Sequence, residues 1–157
     1  MEVQMNETNK SHEFVVEDGM LTEYYGDSDT VVIPDYVTDI FFEVFSGSSK
    51  IKKLVIPGSI SDVTALEFEG CSVLAEVRLL EGVESIGIAA FEGCPALTRI
   101  ILPKTLKEIK TLALAYCSSL KEICYGGSED EWSTVQKGDR WDLGTGDYRV
   151  LFNCDEV

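Results

Sequence analysis

Three cysteines stand at one interval, Cys71, Cys94 and Cys117, with Ser48 at the same interval before them. Sulfur is the side-chain chemistry best suited here to redox or metal work, so its spacing is the first test. If successive coils of chain stack, their Cα atoms come to about 5 Å, inside disulfide range, but parallel stacking points the Cβ vectors the same way rather than at one another. Three in a row also cannot all pair, and a serine in the first place would spoil a ligand set while keeping the size. The row reads as small buried apolar plugs, with a redox or metal role as the alternative.

His12 is the only histidine, and it lies in a polar opening stretch that offers neither the fixed position nor the shifted pKa of a general base. No Ser/His/Asp set, nucleophile elbow, Walker loop or paired-cysteine zinc spacing is present. Gly144-Thr-Gly146 is a lone GxG that neither follows an evident strand nor opens a helix, so it reads as a turn. Asp139, Asp142 and Asp147 could gather around calcium, but their spacing is not that of an EF-hand loop, and a solvated acidic loop is the simpler reading. The expectation is a non-enzymatic chain with no cofactor and no metal.

The elements that would position any surface come from one repeated pattern. Val31, Leu54, Val77, Ile100 and Ile123 lie at a constant interval, followed two residues on by Ile33, Ile56, Leu79, Leu102 and Tyr125. Apolar residues two apart mark a strand, and a period in the twenties marks a stacked solenoid. Pro34, Pro57 and Pro103 should end those strands, because proline cannot donate to the next ladder position; Leu80 departs from the rule. Ile40, Val63, Ile86 and Ile109 form a further column, and Phe45, Phe68, Phe91 and Leu114 another. Each unit buries its columns only against its neighbours.

The ends differ from the units. Residues 1–13 are polar and aperiodic, which predicts a frayed tail, and the sequons at Asn6 and Asn9 are expected there by chance. Asp18-Gly19 sits between two apolar runs and predicts a tight hairpin over 14–30. Four units of 23 residues then occupy 31–122, and 123–157 holds a fifth strand and a closing segment. There, Ser128 and Glu131 form a capping box that predicts a short helix to about Gly138 with Trp132 over the last coil, and alternation from Tyr148 to Asp155 predicts a terminal strand.

Charge narrows the partners. The net charge of −15, from 28 acids and 13 bases, disfavours nucleic acid, whose binding needs Lys and Arg to displace counterions. No stretch reaches the roughly 18 apolar residues of a membrane span. The chain as written shows no basic start and apolar core of an export signal, so it reads as cytoplasmic as written.

The strand pattern Leu97-x-x-Ile100-x-Leu102, repeated at Ile51, Leu74 and Leu120, matches a leucine-rich repeat. Val31-Val-Ile-Pro34, Ser85 to Leu97 and Cys117-Ser-Ser-Leu120 resemble the BspA-like, or treponemal-type, leucine-rich repeat family. The opening from Val16 to Gly26 and the closing Tyr125 to Trp132 are similar to that family's end pieces. The resemblance implies an α/β solenoid, a right-handed superhelix with a concave parallel β-sheet and short irregular or helical segments behind it. It also implies an N-terminal hairpin cap, a C-terminal helix-strand cap, and a cell-surface role in adhesion or partner binding.

On such a sheet the side chains alternating with the buried pairs are Val32, Val55, Arg78, Ile101 and Cys124, flanked by Lys53, Glu76, Arg99 and Glu122. This strip is the candidate contact surface for a protein or peptide. Five strands at about 4.8 Å by five residues at about 3.3 Å give roughly 400 Å², half of what each partner contributes to a standard interface. Loops beside it, a single-strand ligand or self-association would have to supply the remainder. A structural spacer without its own ligand is the alternative.

Overall fold

The computed structural model describes residues 12–154. A hairpin of β1 (Phe14–Glu17) and β2 (Met20–Tyr24) opens it. Each coil then supplies one long and one short strand: β3 (Thr30–Val32) and β4 (Asp39–Ile40), β5 (Lys53–Ile56) and β6 (Asp62–Val63), β7 (Glu76–Leu79) and β8 (Ser85–Ile86), β9 (Arg99–Leu102) and β10 (Glu108–Ile109). The chain ends with β11 (Glu122–Tyr125), α1 (Glu129–Thr134), β12 (Gln136–Lys137) and β13 (Arg149–Leu151).

The long strands form a parallel sheet in the order β13-β11-β9-β7-β5-β3. Val31 pairs Leu54, Leu54 pairs Val77, Val77 pairs Ile100 and Ile100 pairs Ile123, so the repeated column stands in one register. Register is this firm because a slip of one residue would turn every buried side chain to the opposite face. Val150 extends the column beside Ile123, which makes six strands where the repeat pattern alone marks five. Leu80, standing where the other units carry proline, donates its N–H to Ile56 and adds one bond to its ladder.

Behind that sheet the units carry two-residue strands rather than helices; among the described residues the single helix, α1, follows the last unit. A 23-residue coil that spends four residues on a long strand and turns several corners has little chain left for helical turns. The corners lie at Gly47, Gly70, Gly93 and Tyr116, one column in the left-handed region. The helix is also shorter than the capping box suggested, since Val135 leaves it in an extended conformation and β12 takes over. The Ser128–Glu131 box itself is formed in both directions. The hairpin turn has φ of 49° at Asp18 and 84° at Gly19, and a Cβ at Gly19 would fall 2.4 Å from the Thr38 hydroxyl, so glycine is required there. Residues 1–11 of the expected tail, including the sequons, lie outside the described residues, as do residues 155–157; Glu13 accepts the Tyr25 N–H at 2.7 Å.

The core is a set of columns closed against each other. The Phe45, Phe68 and Phe91 rings stack at 5.6 and 5.2 Å between centroids, 18° and 8° from parallel. At the far end Trp132 lies 5.2 Å from the Tyr125 ring, and Trp141 and Tyr148 continue the aromatic cover.

One seam differs from the rest. The short ladder runs β12-β10-β8-β6, while β4 pairs β2, so no strand pairing joins β4 to β6 among the described residues. At this seam stands Glu67, 1% exposed, in the column that holds Ala90 and Ala113 in the next coils. Its Oε1 accepts the Thr64 hydroxyl and its Oε2 has no partner. Burial pushes the carboxyl from 4.5 up to about 7, helped by the Asp39 charge and opposed by hydrogen bonds from Thr64. Because the folded state holds this proton more tightly than the unfolded one, the associated stability is complete below pH 4.5 and is lost as pH rises through about 7. The ceiling on that loss is about 3 kcal/mol. Glu67→Gln is expected to melt higher than the parent at pH 8 and to flatten the pH dependence of the midpoint between pH 5 and 8, read by circular dichroism.

Candidate binding surface

The strip is built by the outward-facing residues of the six-stranded sheet. Val32, Val55, Arg78, Ile101 and Cys124 lie in one row, each beside the next, with Leu151 closing it. The row is open at one end only. Val32 is 59% exposed and Val55 and Arg78 are partly exposed, whereas Ile101 is 7% and Cys124 4% exposed.

Cys124 is bonded to Cys154, which corrects its place among the exposed contact residues. After β13 the chain turns back across the sheet: Asn153 donates its N–H to Gly127 and Cys154 to Tyr125. The crossing segment covers the row at its end. Beside it remains a cleft of about 20 Å³ lined by Arg78, Leu80, Ile101, Gly126 and Cys154, room for a water molecule and nothing larger. The repeat pattern carried no signal of this path, since the tail is not a repeat; an odd count of five cysteines with two outside the 23-residue row was the one hint.

The flanking row is an alternating ladder, Lys53, Glu76, Arg99, Glu122 and Arg149 on successive strands. Arg99 Nε lies 3.0 Å from Glu122 Oε1 and its Nη1 3.9 Å from Glu76, while Arg149 reaches Glu122 Oε2 at 3.1 Å. Opposite charges on neighbouring strands satisfy one another, so much of this row supports the sheet rather than offering charge to a partner.

The cysteine row is buried and free. Each thiol donates to the carbonyl of a phenylalanine 26 residues earlier, Cys71 to Phe45, Cys94 to Phe68 and Cys117 to Phe91, all at 3.2 Å. The thiols are therefore hydrogen-bond donors between coils as well as fillers. Hydrogen bonding with the next thiol, together with burial, pushes Cys71 up and Cys94 up to about 12; the Cys94 hydrogen bond lowers Cys117. Ser48 is close to the thiols in size but differs in its contacts: it is half-buried and its hydroxyl accepts from the Lys50 and Ile51 N–H groups, capping its own turn.

His12 is exposed in a turn. Asp142 accepts the Tyr148 hydroxyl at 2.6 Å, and among the described residues no three His, Cys, Asp or Glu side chains converge as a metal set would.

A stack of in-register 23-residue coils with this strand pattern has a direct counterpart in sequence. The profile described as the BspA type leucine-rich repeat region matches residues 24–133 in six copies. The chain belongs to the BspA-type leucine-rich repeat family. BspA-type repeats form modules often used in protein interaction or on surface proteins, and the coils of this member follow that plan.

Solved structures agree on the fold. A leucine-rich cell surface protein of Faecalibacterium prausnitzii superposes with a TM-score of 0.55 at 23% identity over 73% of this chain. The pneumococcal vaccine antigen PcpA gives 0.53 at 17% over 88%, and the leucine-rich repeat protein of T. pallidum 0.50 at 26% over 86%. The BspA-type chain spans 38%, 46% and 65% of those three proteins. No curated protein matches its sequence significantly. Among the described residues no helix is long and apolar enough to cross a membrane.

Proposed function

We propose that this chain is a non-enzymatic protein-binding module that works in an oxidising, extracellular setting, with the open end of the strip as a contact surface. Its domains are then a hairpin over 14–30, four units over 31–122 and a closing segment over 123–157. The observation that carries the setting is the Cys124–Cys154 bond, since such bonds persist outside the reducing cytosol. The cell-surface description of the F. prausnitzii protein agrees with it. The contact surface rests on Val32, Val55 and Arg78, which the crossing tail leaves accessible beside Lys53.

Peptides selected from a random phage library on the immobilised chain test this reading. Reversing the strip with Val55→Glu and Arg78→Glu is expected to weaken the selected peptides at least about tenfold. Unchanged affinity across the set removes the strip as the contact surface.

The charge pairing along Glu76, Arg99, Glu122 and Arg149 favours a second reading, a structural spacer or self-associating scaffold segment. Sedimentation at several concentrations separates it: a mass that grows with concentration, with no peptide selected, supports the scaffold.

A further inference from the structure

The side of the coil that follows the short strands is built differently from the paired sheet face. Phe41 is 45%, Phe42 47%, Leu66 40% and Ile88 52% exposed. Phe42 and Ile88 belong to one column, two coils apart with Ala65 between them, and the Leu66 N–H donates to the Ile88 carbonyl at 3.2 Å, which sets Leu66 beside Ile88; with the adjacent Phe41 and Phe42 rings, 5.0 Å apart, they make a stripe on the same arc of the coil. Leu66 and Leu112 hold positive φ of 66° and 59°, a conformation that disfavours leucine. Of these exposed residues Leu66 is the one held in that conformation, and large apolar side chains gathered on one arc mark an interaction surface rather than scattered exposure.

Acids border the stripe on both sides. Asp39 and Asp62 precede it, with Glu108 further along, and Glu43, Glu69 and Glu92 follow it. Lys110 is the one base in the four arcs 39–47, 62–70, 85–93 and 108–116. None of these acids enters an ion pair among the described residues, in contrast to the ladder on the broad sheet.

We propose that this edge binds a basic amphipathic helix of a partner protein, its apolar row on Phe42, Leu66 and Ile88 and its Lys or Arg residues against the two acidic borders. From Phe42 in the first coil to Ile88 in the third the stripe is two steps of about 4.8 Å, roughly 10 Å, the length of about seven helical residues. That length accommodates anchors at i, i+3, i+4 and i+7. A second copy of the chain would bring the same acids face to face, and anionic lipid headgroups would meet the same repulsion. The edge is separate from the strip, so either surface can fail without the other.

The probe is a fluorescein-labelled peptide of about 14 residues, Leu on one helical face and Lys elsewhere, beside a scrambled peptide of the same composition. Fluorescence anisotropy is expected to give the patterned peptide at least about tenfold tighter binding than the scrambled one. Phe42→Ser with Ile88→Ser should remove that advantage, and Asp62→Asn with Glu69→Gln should weaken binding and its salt dependence. All four are surface positions, and hydrogen exchange on the unaltered chain adds a readout independent of folding: bound peptide should protect amides in 62–70 and 85–93. Equal binding of the two peptides, unchanged affinity in the serine variant, or protection elsewhere overturns the proposal. If Val55→Glu with Arg78→Glu removes probe binding instead, the edge is wrong while the strip stands.

Discussion

Reducing the Cys124–Cys154 bond is expected to lower stability by about 3–4 kcal/mol, the chain-entropy value for a loop of 30 residues. The loop runs from the last repeated strand to the end of the tail, so the unbonded chain can release β13 and its crossing segment in a single step. For a chain of this size the loss corresponds to a midpoint about 6–16 °C lower, read by thermal unfolding with and without dithiothreitol. Cys154→Ser should melt like the reduced parent, and dithiothreitol should then have no further effect. A midpoint that does not move would mean that the pairing of Val150 with Ile123 and the bonds at Asn153 and Cys154 hold the tail without the bridge. The same experiment reads the strip, because Ile101 is covered only as long as the tail crosses it.

Phe68→Ala is expected to cost about 3–5 kcal/mol. Phe68 is 1% exposed and stacks on Phe45 on one side and Phe91 on the other, so truncation empties a volume that rings in both neighbouring coils face. Collapse around the void is limited, because the backbones above and below are fixed by the bonds from Phe68 to Ala90 and from Gly47 to Glu69. Phe68 also supplies the carbonyl that accepts the Cys94 thiol, and a shift of its backbone would loosen that contact. Chemical denaturation should show the drop in midpoint. A cost below about 1 kcal/mol would show that the coils can close over the gap, contrary to tight stacking.

The columns were legible in the sequence because identical spacing and similar side chains recur at Val31, Leu54, Val77, Ile100 and Ile123, and stacking turns that spacing directly into contact. The Asp18-Gly19 turn and the Ser128–Glu131 box were legible because their chemistry is local. The covered end of the strip was not. Cys124 alternates with buried Ile123 and Tyr125 and so reads as outward-facing, which it is; the residue that lies on it, Cys154, comes from a segment outside the period. Glu67 was hidden for a related reason, since a carboxylate in a column with alanines and a valine reads as exposed, whereas the fold buries it. The edge stripe is not legible as a column, because only Phe42 and Ile88 share a repeat position while Phe41 and Leu66 stand at others.

The sulfur contacts give the stack a direction of dependence. Cys71, Cys94 and Cys117 each reach back to finish the coil before, whereas Ser48 turns inward and finishes only its own. The units are therefore not beads that can be restrung in any order. Move the serine-bearing coil to an inner place, and the phenylalanine carbonyl behind it is left with no sulfur to answer it.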